Sequence, residues 1–146
     1  MNNIGLIGYT GNVGSYIKNQ IGATHLYNRN NIITIIDKEF DILICSAPTG
    51  NIDLINDSKN NFGGNLPSYS QEFETILFLL DHMRKAKIKK FFYVSSQYVM
   101  DYPNTKYSVN RRFIENWAKQ NILNCIICRK PTKEEVLEDL KKFINE

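Results

Sequence analysis

Residues 4–15 read IGLIGYTGNVGS, a short apolar run followed by glycines at Gly8, Gly11 and Gly14. Such a run reads as a buried strand, and the residues from Val13 to Ile21 carry the spacing of a helix. Glycines between the two let the backbone turn tightly and approach a ligand with no Cβ in the way. The helix behind them offers free N–H groups and the positive end of its dipole. A strand–turn–helix of this kind cradles a diphosphate when it opens an alternating α/β chain. The remaining segments therefore decide how the turn is read.

They alternate. Thr24–Tyr27 forms a second strand, after which NNIITIIDKEF offers Asn30 or Asn31 as the cap of a short helix. DILICSAP (Asp41–Pro48) is a third strand, stopped by Pro48 and Gly50. The polar stretch TGNIDLINDSKNNFGGNLP reads as a long loop of the kind that carries function. Phe73, Ile76, Leu77, Leu80 and Met83 recur at helical spacing, KKFFYVSS is a fourth strand, and Val109, Phe113, Ile114 and Trp117 mark another amphipathic helix. NCIICR is a fifth strand. The last helix, TKEEVLEDLKKFINE, opens on a capping box of Thr132 and Glu135 and buries Val136, Leu137, Leu140, Phe143 and Ile144. The pattern predicts a single domain over residues 1–146: a three-layer α/β/α sandwich of Rossmann type, with a parallel sheet of about five strands in the order 3-2-1-4-5.

Composition narrows the function classes. The chain has 146 residues, is 42% hydrophobic and 23% charged, and carries a net charge of +3, as a soluble globular protein does. Its basic residues are interspersed with acids, so no nucleic-acid partner is expected. The densest basic run, MRKAKIKK, reads as the solvated end of a helix. No segment is apolar enough for long enough to span a bilayer, and MNNIGLIGYTG has neither a basic leader nor a cleavage site. CIIC has the C-x-x-C spacing, but residues three apart on a strand face opposite ways, so Cys125 and Cys128 diverge. With Cys45 they read as buried reduced thiols, which suits a cytoplasmic setting. His25 and His82 lie far apart without a ligand pattern, so no metal is expected.

GYTGNVGS resembles the glycine motif of the extended and atypical short-chain dehydrogenase/reductases, the superfamily that contains nucleotide-sugar epimerases and dehydratases. DILICSAP is similar to the strand that lines the cofactor there, and ETILFLLDHMRKAKIKKFFYVSS to the helix and strand leading to the catalytic serine. SSQYV resembles S-S-x-x-V, which maps the serine to Ser96. YSVNRRFIENW resembles Y-x-x-x-K-x-x-x-E, which maps the tyrosine to Tyr107, the lysine to Arg111 and the glutamate to Glu115. The likeness covers roughly residues 4 to 130 and lacks the substrate-binding part of the extended members. It implies an NAD or NADP cofactor held by Gly8, Thr10, Gly11, Asn12, Val13, Gly14, Ser46, Ala47 and Pro48, and a small-molecule or nucleotide-sugar substrate.

The chemistry of the implied catalytic set can be argued from the residues themselves. Tyr107 and Arg111 are four apart and share a helix face. A cation fixed beside a phenol favours phenolate, which suits a group that exchanges a proton with a hydroxyl or carbonyl. Ser96 would orient the same oxygen, and the nicotinamide would carry the hydride. Arginine in place of lysine keeps the charge but changes reach and hydrogen-bonding geometry. YPNTK offers a second Tyr-x-x-x-Lys pair, yet Pro103 biases Tyr102 away from helix, and Asn104 or Thr105 looks like a cap. After the second strand no acid is placed to hold a ribose; Asn28 and Arg29 stand there, and Arg29 tilts the choice toward NADP. Two functional classes follow: an NAD(P)-dependent oxidoreductase or epimerase/dehydratase-like enzyme, and a catalytically inactive nucleotide-binding module that senses, sequesters or regulates. A homo-oligomer in which another chain completes the substrate pocket is compatible with both.

Overall fold

The computed structural model describes residues 3–48, 52–56 and 69–146. Five strands form one parallel sheet: β1 (Ile4–Ile7), β2 (His25–Tyr27), β3 (Glu39–Cys45), β4 (Lys87–Val94) and β5 (Cys125–Cys128). The helices are α1 (Asn12–Gln20), α2 (Ile52–Asn56), α3 (Tyr69–Met83), α4 (Gln97–Asp101), α5 (Lys106–Asn121) and α6 (Lys133–Asn145), with a 3-10 turn at Ile32–Ile35. The fold is an α/β Rossmann-type sandwich. No helix among the described residues is long and apolar enough to cross a membrane.

Lateral order is β2-β1-β3-β4-β5, which corrects the expected 3-2-1-4-5. Beyond β2, which has only 3 residues, the chain makes a 3-10 turn in place of another strand and returns on the far side of β1. The direction of travel therefore reverses between β1 and β3, and the crevice at that reversal is where open α/β sheets bind ligands. The helices divide between the two faces of the sheet. Ile17 of α1 and Val136, Leu140 and Phe143 of α6 pack with Leu6, Ile42, Ile44, Phe92 and Cys128 on one face. The 3-10 turn, α3 and α5 cover Ile7, Leu43, Cys45, Phe91 and Tyr93 on the other.

Local chemistry explains the element boundaries. Thr105 and Thr132 cap α5 and α6 by accepting from Ser108 N and Glu135 N, and Thr132 Oγ1 also donates to the Glu135 carboxylate, so the expected pair meets through the hydroxyl. Tyr102 ends α4 and lies outside α5, so it shares no helical face with Lys106. Gly5 makes room for Phe40, whose ring would lie 2.6 Å from a Cβ there. Two expectations need correction. The basic run is a helix end only at Arg84–Lys85; Lys87 and Lys89 belong to β4, opposite Glu39 and Asp41, and Lys90 Nζ donates to the Phe143 and Glu146 carbonyls at the end of α6. On α5, Val109 and Phe113 are exposed, and the buried face carries Asn110, Arg111, Ile114, Glu115 and Ala118. Of the polar stretch 49–67, residues 52–56 form α2, and the rest of that expectation lies outside the described residues.

Cys125 packs on the α3–α5 face and Cys128 on the α1–α6 face, as alternation on a strand dictates. Burial pushes the Cys45 thiol up to about 12 and that of Cys128 to about 11. At pH 8 a thiol with a pKa of about 12 is thiolate for only about one part in ten thousand. Iodoacetamide at pH 8 is therefore expected to label half-buried Cys125 first and to reach Cys45 only on unfolding. Peptide mass spectrometry with and without urea checks this; native labelling of Cys45 at the rate of Cys125 would contradict it.

Candidate functional site

The carboxyl ends of β1 and β3 meet at the reversal point. Gly8 leaves β1 with φ of +85°, a conformation suited to glycine, and its N–H donates to the Tyr27 carbonyl at 3.0 Å. A Cβ on Gly8 would lie 2.9 Å from the Ser46 carbonyl. Gly14 is held more tightly still: its Cβ would fall 1.9 Å from the Gly8 oxygen. The first turn of α1 thus lies directly on the β1 turn. Gly11 is the N-cap of α1 in extended conformation and provides no side-chain cap, whereas Ser96, Thr105 and Thr132 cap α4, α5 and α6 with a hydroxyl. The first amides of α1, at Asn12, Val13 and Gly14, are left without a side-chain acceptor from the cap position, so that end retains its affinity for an anion.

The neighbouring loops are organised around this corner. Tyr9 Oη accepts from Asn28 Nδ2 at 3.2 Å, joining the turns after β1 and β2. Asn28 Oδ1 accepts from the N–H groups of Asn30 and Asn31, and Asn31 Oδ1 accepts from Asn28 N. Asn28 is therefore engaged in shaping its own loop. Arg29 reaches across to α3, where its Nη2 donates to Thr75 Oγ1 at 3.1 Å. After β3, Ser46 is buried, its N–H donates to the Ile7 carbonyl, and Ala47 and Pro48 are half-buried. Thr10 is exposed beside the turn.

Tyr107, Arg111 and Ser96 lie at the ends of β4 and α5. The Arg111 guanidinium sits over the Tyr107 ring, 4.5 Å from its centroid, as i, i+4 spacing allows. Arg111 is only 4% exposed and pairs with the fully buried Glu72 of α3, Nη1 to Oε1 at 3.4 Å. Burial works against the arginine charge, but Tyr93, Tyr107 and Glu72 around it leave its pKa above the usual range. Burial also raises Tyr93. The Tyr98 ring meets Tyr107 edge-on at 5.5 Å. Asn56 of α2 ties both residues, donating to Tyr98 Oη at 2.8 Å and accepting from Tyr107 N at 3.0 Å. Ser96 Oγ accepts from Tyr98 N, so this hydroxyl serves as a helix cap.

Ser95 and Glu115 form a separate link. Ser95 Oγ donates to Glu115 Oε2 at 2.5 Å, and Arg129 donates to both carboxylate oxygens through Nε and Nη2. Glu115 is 1% exposed. Sequence reasoning missed Glu72, Asn110 and Asn56. Only Glu72 left a signal, because it falls on the α3 stripe at i−4 from buried Ile76.

No family model matches the chain, and no curated protein sequence does. Solved structures resemble it in fold. A variant of UDP-glucuronic acid 4-epimerase from Bacillus cereus, determined with UDP-4-deoxy-4-fluoro-glucuronic acid and NAD, superposes with a TM-score of 0.61 at 12% identity, covering 87% of this chain and 55% of its own. The dTDP-4-dehydrorhamnose reductase from Clostridium acetobutylicum gives 0.62 at 14%, covering 96% and 59%. The Listeria innocua protein lin1944 gives 0.62 at 11%, covering 96% and 92%. The chain thus spans little more than half the length of the epimerase and the reductase. At these identities the relation is one of fold.

The Glu115 link yields a stability test. Glu115→Gln removes the carboxylate that balances Arg129, whose side chain keeps 30% exposure. Breaking a fully buried pair costs about 3–5 kcal/mol, and residual access to water at Arg129 should bring this to about 2–4 kcal/mol. Urea unfolding measures it; a loss below about 0.5 kcal/mol, the size of an ordinary surface change, would mean that the link carries no stability.

Proposed function

We propose that this chain is an NAD(P)-binding Rossmann protein resembling a minimal short-chain dehydrogenase/reductase or nucleotide-sugar epimerase/dehydratase. One observation carries the reading: the start of α1, without a side-chain cap, rests on the Gly8 turn at the β1–β3 reversal. A diphosphate there would accept from the first amides of α1, with Gly8, Thr10, Gly11, Asn12, Val13 and Gly14 around it and Ser46, Ala47 and Pro48 beside it. The NAD and the UDP-sugar held in the epimerase structure support this ligand class. The cofactor would supply the hydride chemistry. Tyr107 would exchange a proton with the substrate oxygen, Ser96 would orient that oxygen, and Arg111 would hold a positive charge on the phenol ring. Arg29, beside Asn28 at the end of β2, would meet a 2′-phosphate and favour NADP.

A second reading, an inactive nucleotide-binding module, is favoured by two contacts. The Arg111 charge is already paired with Glu72, and the Ser96 hydroxyl is engaged as the α4 cap. Titration with NADPH and NADH, followed by calorimetry and nicotinamide fluorescence, tests the shared claim; no binding of either at millimolar concentration would remove it. Turnover of a carbonyl and nucleotide-sugar panel that is lost in Tyr107→Phe would select the enzyme, and binding without turnover the module. Arg29→Ala is expected to weaken NADPH by about tenfold, on the order of one charged hydrogen bond, and to leave NADH unchanged. Equal losses for both cofactors would exclude Arg29 as the selector.

A further inference from the structure

The arginine at 111 creates a requirement that a lysine would not. A buried lysine can release its proton, but a guanidinium keeps its charge at any working pH and must be neutralised where it stands. Arg111 is 4% exposed and faces Tyr93 of β4, Tyr107 of its own helix and Glu72 of α3. The other buried acid on this side, Glu115, is taken by Arg129 and Ser95. Glu72 is fully buried, and among the described residues it alone brings a carboxylate oxygen to Arg111, at 3.4 Å.

The carboxylate is itself held. Asn110 Nδ2 donates to Glu72 Oε1 at 3.0 Å and to the Tyr69 carbonyl at 3.3 Å, so the residue beside Arg111 fixes the acid and the first turn of α3 together. Among the described residues Glu72 Oε2 is buried with no hydrogen-bond partner, and Arg111 Nη1 meets Oε1 as an ion pair without a hydrogen bond. The anchorage therefore runs through one oxygen, which faces both Asn110 and Arg111.

We infer that Glu72 is a positioning residue, holding the Arg111 guanidinium on the face of the Tyr107 ring through the oxygen that Asn110 clamps. Without that charge the guanidinium turns away from the ring toward water or another acceptor. The catalytic meaning of this arrangement rests on the enzyme reading above, whereas the geometry stands without it.

The test reads the stack directly. The Nε–H resonance of Arg111, assigned by its disappearance in Arg111→Lys, should be shifted upfield by the ring current of Tyr107 relative to that of exposed Arg84. Glu72→Gln keeps the shape and the Oε1 acceptor but deletes the charge. It is expected to move the Arg111 resonance toward that of Arg84 while the backbone spectrum stays native, and Glu72→Asp should move it part of the way. An Arg111 resonance that stays in place in a folded Glu72→Gln or Glu72→Asp protein overturns the proposal. Should Glu72→Gln fail to fold, Glu72→Asp alone decides it. These outcomes need no cofactor, so they remain readable if NADPH and NADH do not bind. If turnover is found, Glu72→Gln should lower kcat at least tenfold with KM unchanged, and Glu72→Asp should restore part of it; a loss confined to KM would count against positioning.

Discussion

The carbonyl oxygen of Gly8 occupies the space that a side chain at position 14 would need, and the geometry of the carboxyl edge follows from that contact. It brings the first turn of α1 onto the end of β1 and fixes the direction in which the helix amides point. Close packing of this kind tolerates no extra methyl without a shift of backbone. The glycines are thus required by the protein's own packing before any ligand is considered.

A second layer of order lies between α3 and α5. Here Glu72, Asn110, Arg111 and Tyr107 form a polar cluster between the helices. Charges removed from water cost several kcal/mol each unless paired and hydrogen-bonded. The cluster meets that condition in part, since among the described residues Glu72 Oε2, Asn110 Oδ1 and Arg111 Nη1 have no hydrogen-bond partner. Incomplete satisfaction is tolerated more often at working sites than in ordinary cores. The Ser95–Glu115–Arg129 link, by contrast, engages both oxygens of its carboxylate.

Much of the fold was legible because period and punctuation agreed. The five strands, the glycine turn, the caps at Thr105 and Thr132 and the divergence of Cys125 from Cys128 all come from local rules. Lateral strand order was not legible, because alternation fixes the sequence of elements and leaves their neighbours open. The buried face of α5 was misjudged for a related reason. Val109 and Phe113 look like a core stripe, yet the helix turns Asn110, Arg111 and Glu115 inward, where partners distant in sequence hydrogen-bond or pair with them. Asn28 stands where an acid was sought, but its loop-forming bonds depend on Asn30 and Asn31, which no spacing motif records. The corner at Gly8–Gly14 could be read from three glycines; the Glu72 anchor could not, since its meaning exists only once α3 and α5 are packed.

The sheet also tapers toward its rims. Its outer strands, β2 and β5, have 3 and 4 residues, against 7 and 8 for the central β3 and β4. An unpaired rim is a template on which a foreign strand can dock through its backbone, and brevity is one of the ways natural proteins blunt that hazard. Among the described residues, strands this short on either flank offer few backbone groups for an invading strand to zip onto. Sideways growth into a continuous ribbon, the usual route from a parallel sheet to fibrous aggregates, is discouraged by length alone.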